Sequence, residues 1–273
     1  MRRYALFGWP VGHSLSPQMQ NAGFKACGID ASYECIPVPP GELASYAKRL
    51  VDDGYSGWNV TVPYKEEMHD LCDVVAGTEA AAARTVNTVV VKNGRMHGYS
   101  TDGIGLCRAL KHAFGFEELP KRMLFLGAGG AAQATATFCA RHGVGEITIA
   151  NRTLANAERI AAIIAEIAPE CRVVALPLAD APSALNHCDV ILQCTSLGLH
   201  RDDPPPIPPE LVPKDLPLFD FVYTDSAFRN EMRRQGNPVA DGLELLLQQG
   251  MESFRLWTDR TPPEAAMRNA IMK

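Results

Sequence analysis

Four clusters of small polar residues hold the chemistry this chain can do: Gly12-His-Ser-Leu-Ser-Pro17, Asn59-Val-Thr-Val-Pro-Tyr-Lys65, Val86-Asn-Thr88 and Thr101-Asp-Gly103. They supply hydroxyls from Ser14, Ser16 and Thr61, amides from Asn59 and Asn87, an ammonium from Lys65 and a carboxylate from Asp102. That mixture suits a small polyhydroxylated acid. A lysine–aspartate pair can also handle the proton that accompanies a hydride. Each cluster has a purely local reading as well. Ser16 before Pro17 suits a helix N-cap with proline at the first helical position. Asn59 and Thr61 share one side of a strand. Lys65 reads as a solvated lysine at a helix start, where the helix dipole disfavours a cation. Asp102 reads as an N-cap. Position favours the chemical reading, because all four clusters lie at element ends, where α/β sites are built.

A second kind of chemistry is written in Leu124-Phe-Leu-Gly-Ala-Gly-Gly-Ala-Ala132. A buried strand runs into a glycine turn and then a helix. Gly127 permits the tight turn, Gly129 lets the backbone approach a pyrophosphate, and Ala132 allows close helix–strand packing. The turn Gly127-Ala128-Gly129-Gly130-Ala131 ends at a helix start whose free N–H groups suit phosphates. The next strand, Glu146–Ala150, ends at Asn151, Arg152 and Thr153. An NAD-preferring domain usually places an acid there. A guanidinium instead pairs with a 2′-phosphate, so the expected cofactor is NADP, with NAD as a weaker alternative.

Alternating strands and helices must position these residues. In the first half we expect strands at Tyr4–Gly8, Ser32–Val38 and Gly57–Val62, and helices at Pro17–Cys27, Glu42–Asp53, Tyr64–Val75 and Thr78–Ala83. Val86–Lys92 and Arg95–Tyr99 form a hairpin around Asn93-Gly94, a pair that suits a type I′ turn. Helix Asp102–Phe114 and a polar link at Glu117–Lys121 follow. The second series has strands at Met123–Leu126, Glu146–Ala150, Arg172–Leu176, Asp189–Cys194 and Leu218–Val222, with a helix at Leu154–Ala168. The prolines of Asp203–Pro209 mark a surface loop. Two helices, Leu243–Thr258 and Pro263–Met272, end the chain. Such alternation means parallel sheets covered by helices.

Length and composition set bounds. At 273 residues two domains are expected, and 47% hydrophobic residues suffice for real cores. A net charge of −5 without a basic block argues against nucleic acid or an anionic membrane as partner. No apolar run approaches a membrane span, and the start Met1–Gly8 has too short an apolar stretch for a signal peptide. The 8 cysteines are dispersed with no C-x-x-C pair, which reads as buried free thiols in a reducing cytoplasm and gives no metal site.

The motifs together resemble the shikimate/quinate dehydrogenase family. The carriers are His13-Ser-Leu-Ser-Pro17, Asn59–Lys65, Val86-Asn-Thr88, Ser100-Thr-Asp-Gly103, Gly127–Ala131, Asn151-Arg-Thr153, Thr195-Ser-Leu-Gly198 and Asp241-Gly-Leu243 with Gln249, Phe254 and Trp257. They span essentially the whole chain in matching order. The resemblance implies two α/β domains. A substrate domain at 1–103 has a mixed, mainly parallel sheet, a Rossmann-like NADP domain covers 104–242, and helices at 243–273 return to the first. It implies NADPH-dependent, reversible reduction of 3-dehydroshikimate to shikimate in aromatic amino-acid biosynthesis, by a cytoplasmic monomer or homodimer. Ser14 and Ser16 would bind the substrate carboxylate. Asn59, Thr61, Asn87 and Gln249 would meet its ring hydroxyls. Lys65 would be the general acid/base with Asp102 as its partner. Gly127, Ala128, Gly129, Gly130 and Ala131 would hold the pyrophosphate. Asn151, Arg152 and Thr153 would hold the adenosine ribose and 2′-phosphate. Thr195, Val222 and Gly242 would lie along the nicotinamide, and Tyr223 with the substrate.

The chain departs from that family's pattern at several positions. Ser100 stands for the usual asparagine, Asp225 for a proline in the loop after the last strand, and Arg84-Thr85 for Gly-Ala before Val86. Asn156 stands where many NADP-specific relatives carry a second basic residue, so a single-arginine clamp and a modest NADP preference are expected. A quinate-oxidising, NAD-using relative is the alternative, against which two serines at 14 and 16 weigh. A catalytically silent binding module is another, against which intact Lys65 and Asp102 weigh.

Overall fold

The computed structural model describes residues 1–200 and 202–272. The chain divides into two compact units, Met1–Gly105 with Leu246–Lys273, and Leu106–Leu245.

The first unit is built on β1 (Arg2–Gly8), α1 (Ser16–Ala26), β2 (Ala31–Pro37), α2 (Leu43–Asp52), β3 (Gly57–Val60), α3 (Lys65–Leu71), β4 (Val74–Val75), α4 (Thr78–Ala83), β5 (Thr88–Lys92), β6 (Arg95–Tyr99) and the first turn of α5 (Asp102–Phe114). Its sheet runs β2-β1-β3-β5-β6-β4. β1 is parallel to β2 and β3, while β5 is antiparallel to both β3 and β6. Alternation along β1 divides the core. Ala5 and Phe7 join one buried cluster with Trp58, Leu43 and Met68, and Tyr4 and Leu6 join another with Phe24, Phe254 and Trp257. Each fully buried large side chain contributes roughly 1.5–3 kcal/mol.

In the second unit come β7 (Arg122–Leu126), α6 (Gly130–Arg141), β8 (Glu146–Asn151), α7 (Leu154–Ile167), β9 (Arg172–Pro177), a 3-10 helix at Leu178–His187, β10 (Val190–Gln193), β11 (Leu218–Asp220), α8 (Ala227–Gln235) and β12 (Val239–Ala240). Its sheet is parallel throughout, in the order β12-β11-β10-β7-β8-β9. That is the doubly wound arrangement, whose order reverses between β7 and β10 and opens a crevice at their carboxyl ends. Helix α9 (Gly242–Thr258) carries the chain back into the first unit, and α10 (Glu264–Ile271) packs there against α1.

Several expectations from the sequence need correction. α3 stops at Leu71 instead of running to Val75, because Cys72 is extended and Val74–Val75 pairs with β6 as a short edge strand. β3 stops at Val60, and Thr61 turns the chain toward Pro63, which cannot donate to a ladder. Ser16 is not the N-cap of α1 but its first helical residue; Leu15 holds the cap position, and the Ser16 hydroxyl makes no cap bond. Asp102 likewise opens α5 as a helical residue. The 3-10 helix, α8 and β12 were not anticipated. The Asn93-Gly94 turn has φ of 53° and 73°, as a type I′ turn requires. All 8 cysteines are free thiols, but only Cys139 and Cys171 are buried, the other six being partly exposed.

Candidate active site

Helix α3 starts at Lys65, whose main-chain carbonyl accepts from Val86 N–H at 2.9 Å and so fixes the start of the helix beside the strand that follows. The Lys65 ammonium lies 2.6 Å from Asp102 Oδ2. Both residues are buried, at 8% and 6% exposure. A cation at a helix N-terminus is unfavourable on its own; Asp102, at the start of another helix, supplies the compensating charge. The other carboxylate oxygen, Oδ1, accepts from Asn87 Nδ2 at 2.9 Å. Asn87 is oriented in turn by Thr101 N–H, which can only donate and meets Asn87 Oδ1 at 2.9 Å. Gln249 Oε1 lies 3.3 Å from Asn87 Nδ2. Helix α9 reaches that position because residue 105 is glycine: a Cβ there would stand 2.8 Å from Gln249 Cβ and 2.9 Å from its nitrogen. Lys65, Asp102, Asn87 and Gln249 thus form one connected group.

A second connected group adjoins it through Asn59. Asn59 Nδ2 donates toward Asn87 O at 3.1 Å, Thr88 Oγ1 at 3.0 Å and Ser253 Oγ at 3.0 Å. Its Oδ1 accepts from the Tyr33 hydroxyl at 2.8 Å. Ser14 Oγ lies 3.2 Å from Ser16 Oγ and accepts from Ser16 N–H at 3.2 Å. Thr61 stands at the end of β3, its N–H on Phe7 O at 2.8 Å. Its methyl fills the space over Gly8, where a Cβ would come within 2.4 Å.

The sequence reading missed Tyr33, Thr88, Thr101 and Ser253 as members of these groups. Thr88 and Thr101 lay inside recognised motifs. Ser253 carried a weak signal, a hydroxyl on the face of α9 that otherwise presents Leu247, Phe254 and Trp257 to the core. Tyr33 carried none, since an aromatic in a strand reads as core.

The second unit builds the glycine turn at the reversal of its sheet. Gly127 has φ 110°, and a Cβ there would strike the Cys194–Thr195 backbone at 2.9 Å. Gly129 differs: a Cβ would meet no protein atom within 4 Å. Glycine at 129 therefore answers to no packing demand of the protein and leaves the backbone open to a ligand. Helix α6 begins at once with Gly130 and Ala131, whose N–H groups precede the first intrahelical donors, so the turn fits a pyrophosphate. Ala128 lies buried within the turn. β8 ends at Asn151, whose Nδ2 donates to Thr153 O at 2.8 Å, while Arg152 and Thr153 are exposed beside it. No carboxylate occurs among these three residues, and the cation fits a phosphorylated ribose. Thr195 N–H donates to Gln193 Oε1 at 2.8 Å and its hydroxyl accepts from Leu197 N–H, which shapes the turn after β10.

Val222 and Tyr223 follow β11 in a loop that Asp220 and Arg229 hold. The Asp220 carboxylate accepts from Val222 N–H at 3.0 Å and Ser226 Oγ at 3.1 Å, and lies 3.2 Å from Arg229. Arg229 donates to Val222 O at 2.7 Å and Thr224 O at 2.6 Å. Burial pushes the Asp220 carboxyl above its ordinary range, against the pull of Val222 N–H and Arg229. The departure at Asp225 is absorbed locally, its Oδ1 accepting from Asn230 at 2.8 Å. Tyr223, expected with the substrate residues, belongs to the second unit. Gly242 is required by packing, since a Cβ would fall 2.1 Å from Phe221 O. Among the described residues no group of three His, Cys, Asp or Glu side chains is placed to hold a metal, and no helix is long and apolar enough to cross a membrane.

Comparison with known proteins matches three family models. Residues 6–89 match a shikimate dehydrogenase substrate binding domain, 110–200 a shikimate/quinate 5-dehydrogenase domain and 242–272 a shikimate 5′-dehydrogenase C-terminal domain. The curated shikimate dehydrogenase (NADP(+)) of Methanopyrus kandleri is 36% identical over 273 residues, covering 98% of this chain and 94% of that protein. That of Moorella thermoacetica is 41% identical over 267 residues, covering 96% and 90%. A solved shikimate 5-dehydrogenase from Thermus thermophilus, in complex with NADP(H) and shikimate, superposes with a TM-score of 0.86 at 33% identity, covering 99% of this chain and 98% of that one.

Proposed function

The chain belongs to the shikimate dehydrogenase family, and on that premise we propose that it interconverts 3-dehydroshikimate and shikimate with NADP(H) as cofactor. The observation that carries this reading is the buried Lys65–Asp102 pair, 2.6 Å apart, bound to Asn87 and adjoined by Gln249. It is a proton-handling group set among amides suited to ring hydroxyls.

The residues divide the work. Ser14 and Ser16 each have one hydroxyl proton to give a carboxylate, a charge-assisted contact stronger than a neutral one. Asn59, Thr61, Asn87 and Gln249 meet the ring hydroxyls. In oxidation Lys65, as the neutral amine, takes the proton from the reacting hydroxyl and becomes the ammonium; in reduction the ammonium gives that proton to the carbonyl oxygen. Asp102 stabilises the ammonium and, through Asn87, keeps it in place. In the second unit the turn Gly127–Ala131 holds the pyrophosphate, and Asn151, Arg152 and Thr153 hold the phosphorylated ribose. Thr195, Val222, Tyr223 and Gly242 border the nicotinamide end. The nicotinamide, when bound, supplies the hydride acceptor or donor.

On this reading the protein acts in the cytoplasm, in the shikimate pathway to aromatic amino acids, on a small molecule and without nucleic acid or membrane. A steady-state assay with shikimate and quinate, each with NADP⁺ and NAD⁺, tests it. Shikimate with NADP⁺ should give the highest kcat/KM. Higher kcat/KM with quinate and NAD⁺, or no turnover at all, overturns the reading.

A further inference from the structure

The first unit holds a cavity of about 670 Å³ apart from the Lys65–Asp102 group, a volume in the range of small-molecule sites. It occupies the opposite end of the sheet. β1 ends at Gly8, toward Ser14 and Ser16, whereas the cavity lies at its start, at Arg2 and Tyr4. β3 leads to Thr61, whereas the cavity meets Ser56, before that strand begins. β5 follows Asn87 and runs the other way, and the cavity meets its far end, Val90 to Lys92. The last turn of α9 forms the remaining wall, pinned where Trp257 Nε1 donates to Val89 O at 2.9 Å.

Charge at this end is unbalanced. Strand alternation puts Arg2 on the face of Tyr4 and Lys92 on the face of Val90, the face that packs with Trp257. Lys92 stands directly opposite Arg95 across the hairpin, and like charges so placed repel. Among the described residues Arg2, Lys92 and Arg95 have no acidic partner; Arg95 reaches only the Asp73 main-chain carbonyl, at 3.4 Å. Arg255 differs, since it pairs with Glu252 at 2.5 Å. Asp259 and the carboxyl end of α9 oppose an anion, but they lie beside Arg255. The chain as a whole carries −5, so three uncompensated cations on one face are no sample of its average surface. We propose that this cavity binds a small hydroxylated phosphate monoester, with Arg2 and Lys92 on the phosphate. A phosphate dianion matches two cations and relieves the repulsion between Lys92 and Arg95. The hydroxyls of Ser56 and Tyr99 line the rest of a space larger than inorganic phosphate needs, and they suit the hydroxyls of the ester's body.

Calorimetry tests this with glucose 6-phosphate as the probe and with glucose and inorganic phosphate as controls. Each is titrated into the full-length protein with NADP⁺ already saturating, so that the glycine turn and Arg152 are occupied. Glucose 6-phosphate should bind with a dissociation constant of about 1 mM or tighter at low salt, and about tenfold tighter than inorganic phosphate; glucose should not bind. Arg2→Gln with Lys92→Gln should weaken glucose 6-phosphate by about tenfold or more. Both side chains are exposed and outside the catalytic group, so melting temperature and shikimate oxidation should be unchanged. Affinity should also fall in the order wild type, Lys92→Gln, Lys92→Glu, a gradation that follows charge and that an unstable fold does not produce. Wild type that fails to bind glucose 6-phosphate, or a double variant that binds it as tightly, overturns the site. Inorganic phosphate binding as tightly as the ester overturns the assignment to an ester. The proposal does not rest on the proposed function: absence of shikimate turnover overturns that reading alone.

Discussion

Lys65 Nζ and Asp102 Oδ2 stand 2.6 Å apart at the starts of two different helices, and Asn87 holds the second Asp102 oxygen at 2.9 Å. The pair is buried, so neither charge is solvated by bulk water, and each is maintained by the other. Replacing Lys65 removes the only ammonium of this group. Lys65→Ala should lower kcat by the ~10²–10⁴-fold typical of general acid–base catalysis. The dissociation constant for NADP⁺, measured by fluorescence titration, should change less than about twofold, because Lys65 belongs to the first unit and the phosphate-binding turn to the second. Near-wild-type turnover would remove Lys65 from the proton-transfer step.

Arg84 ends α4 in the left-handed region, at φ 50°. That conformation carries a cost for any residue with a Cβ and almost none for glycine, which is why helices so often end on glycine there. Arg84 is exposed, so little packing is lost with its side chain, and the interaction it makes is solvent-screened and contributes little. Arg84→Gly should therefore raise stability by about 0.5–1 kcal/mol in urea denaturation, with an unchanged m-value. A destabilised variant would mean that the arginine side chain contributes more than the backbone costs.

The main architecture was legible because burial follows simple periods. Tyr4-Ala5-Leu6-Phe7 alternates between two core clusters, and Met123-Leu124-Phe125-Leu126 does the same in the other sheet. Short elements were not. Val74–Val75 is too brief to show a period and forms only because β6 offers an edge. Helix α8 is short and strongly polar, FRNEMRRQ after its first residue, so only the pair Phe228 and Met232 marks its buried face. Its signals were the caps: Ser226 accepts from Arg229 N–H, and Gly236 closes the helix at φ 93°. At the site, residue type singled out Lys65 and Asp102, but nothing in one dimension tells that Asn59 is held by Tyr33 and Ser253. Those contacts join residues 26 and 194 positions apart: the first arises because the sheet order sets β2 and β3 on either side of β1, the second because α9 packs on that sheet.

Arg229 and Asp220 are 3% and 1% exposed, and together they hold the loop from Val222 to Ser226. Breaking one side of such a pair strands the other charge in the core. Arg229→Met should destabilise the protein by about 3–5 kcal/mol. The paired replacement Asp220→Asn with Arg229→Met should recover part of that loss, since no buried charge then remains. Calorimetric melting of the three variants checks this. If the double variant is less stable than Arg229→Met alone, the loss does not arise from the stranded carboxylate.

Cofactor choice turns on Arg152. It follows Asn151 at the end of β8, with no acid among residues 151–153, and Asn156 adds no second cation. A charge-assisted bond to a 2′-phosphate favours NADP⁺ over NAD⁺ by roughly ten- to a hundredfold. Arg152 is exposed, so solvent screening moves the expectation toward the lower end. The wild type should use NADP⁺ with measurable NAD⁺ activity. Its preference should fall as salt rises from about 0.05 to 0.5 M, since the Debye length shrinks below the separation over which an exposed pair acts. Arg152→Ala should bring the two kcat/KM values near parity by weakening NADP⁺ rather than by improving NAD⁺. A wild type that prefers NAD⁺, or an Arg152→Ala variant with an unchanged ratio, would show that the phosphorylated ribose is held by other groups.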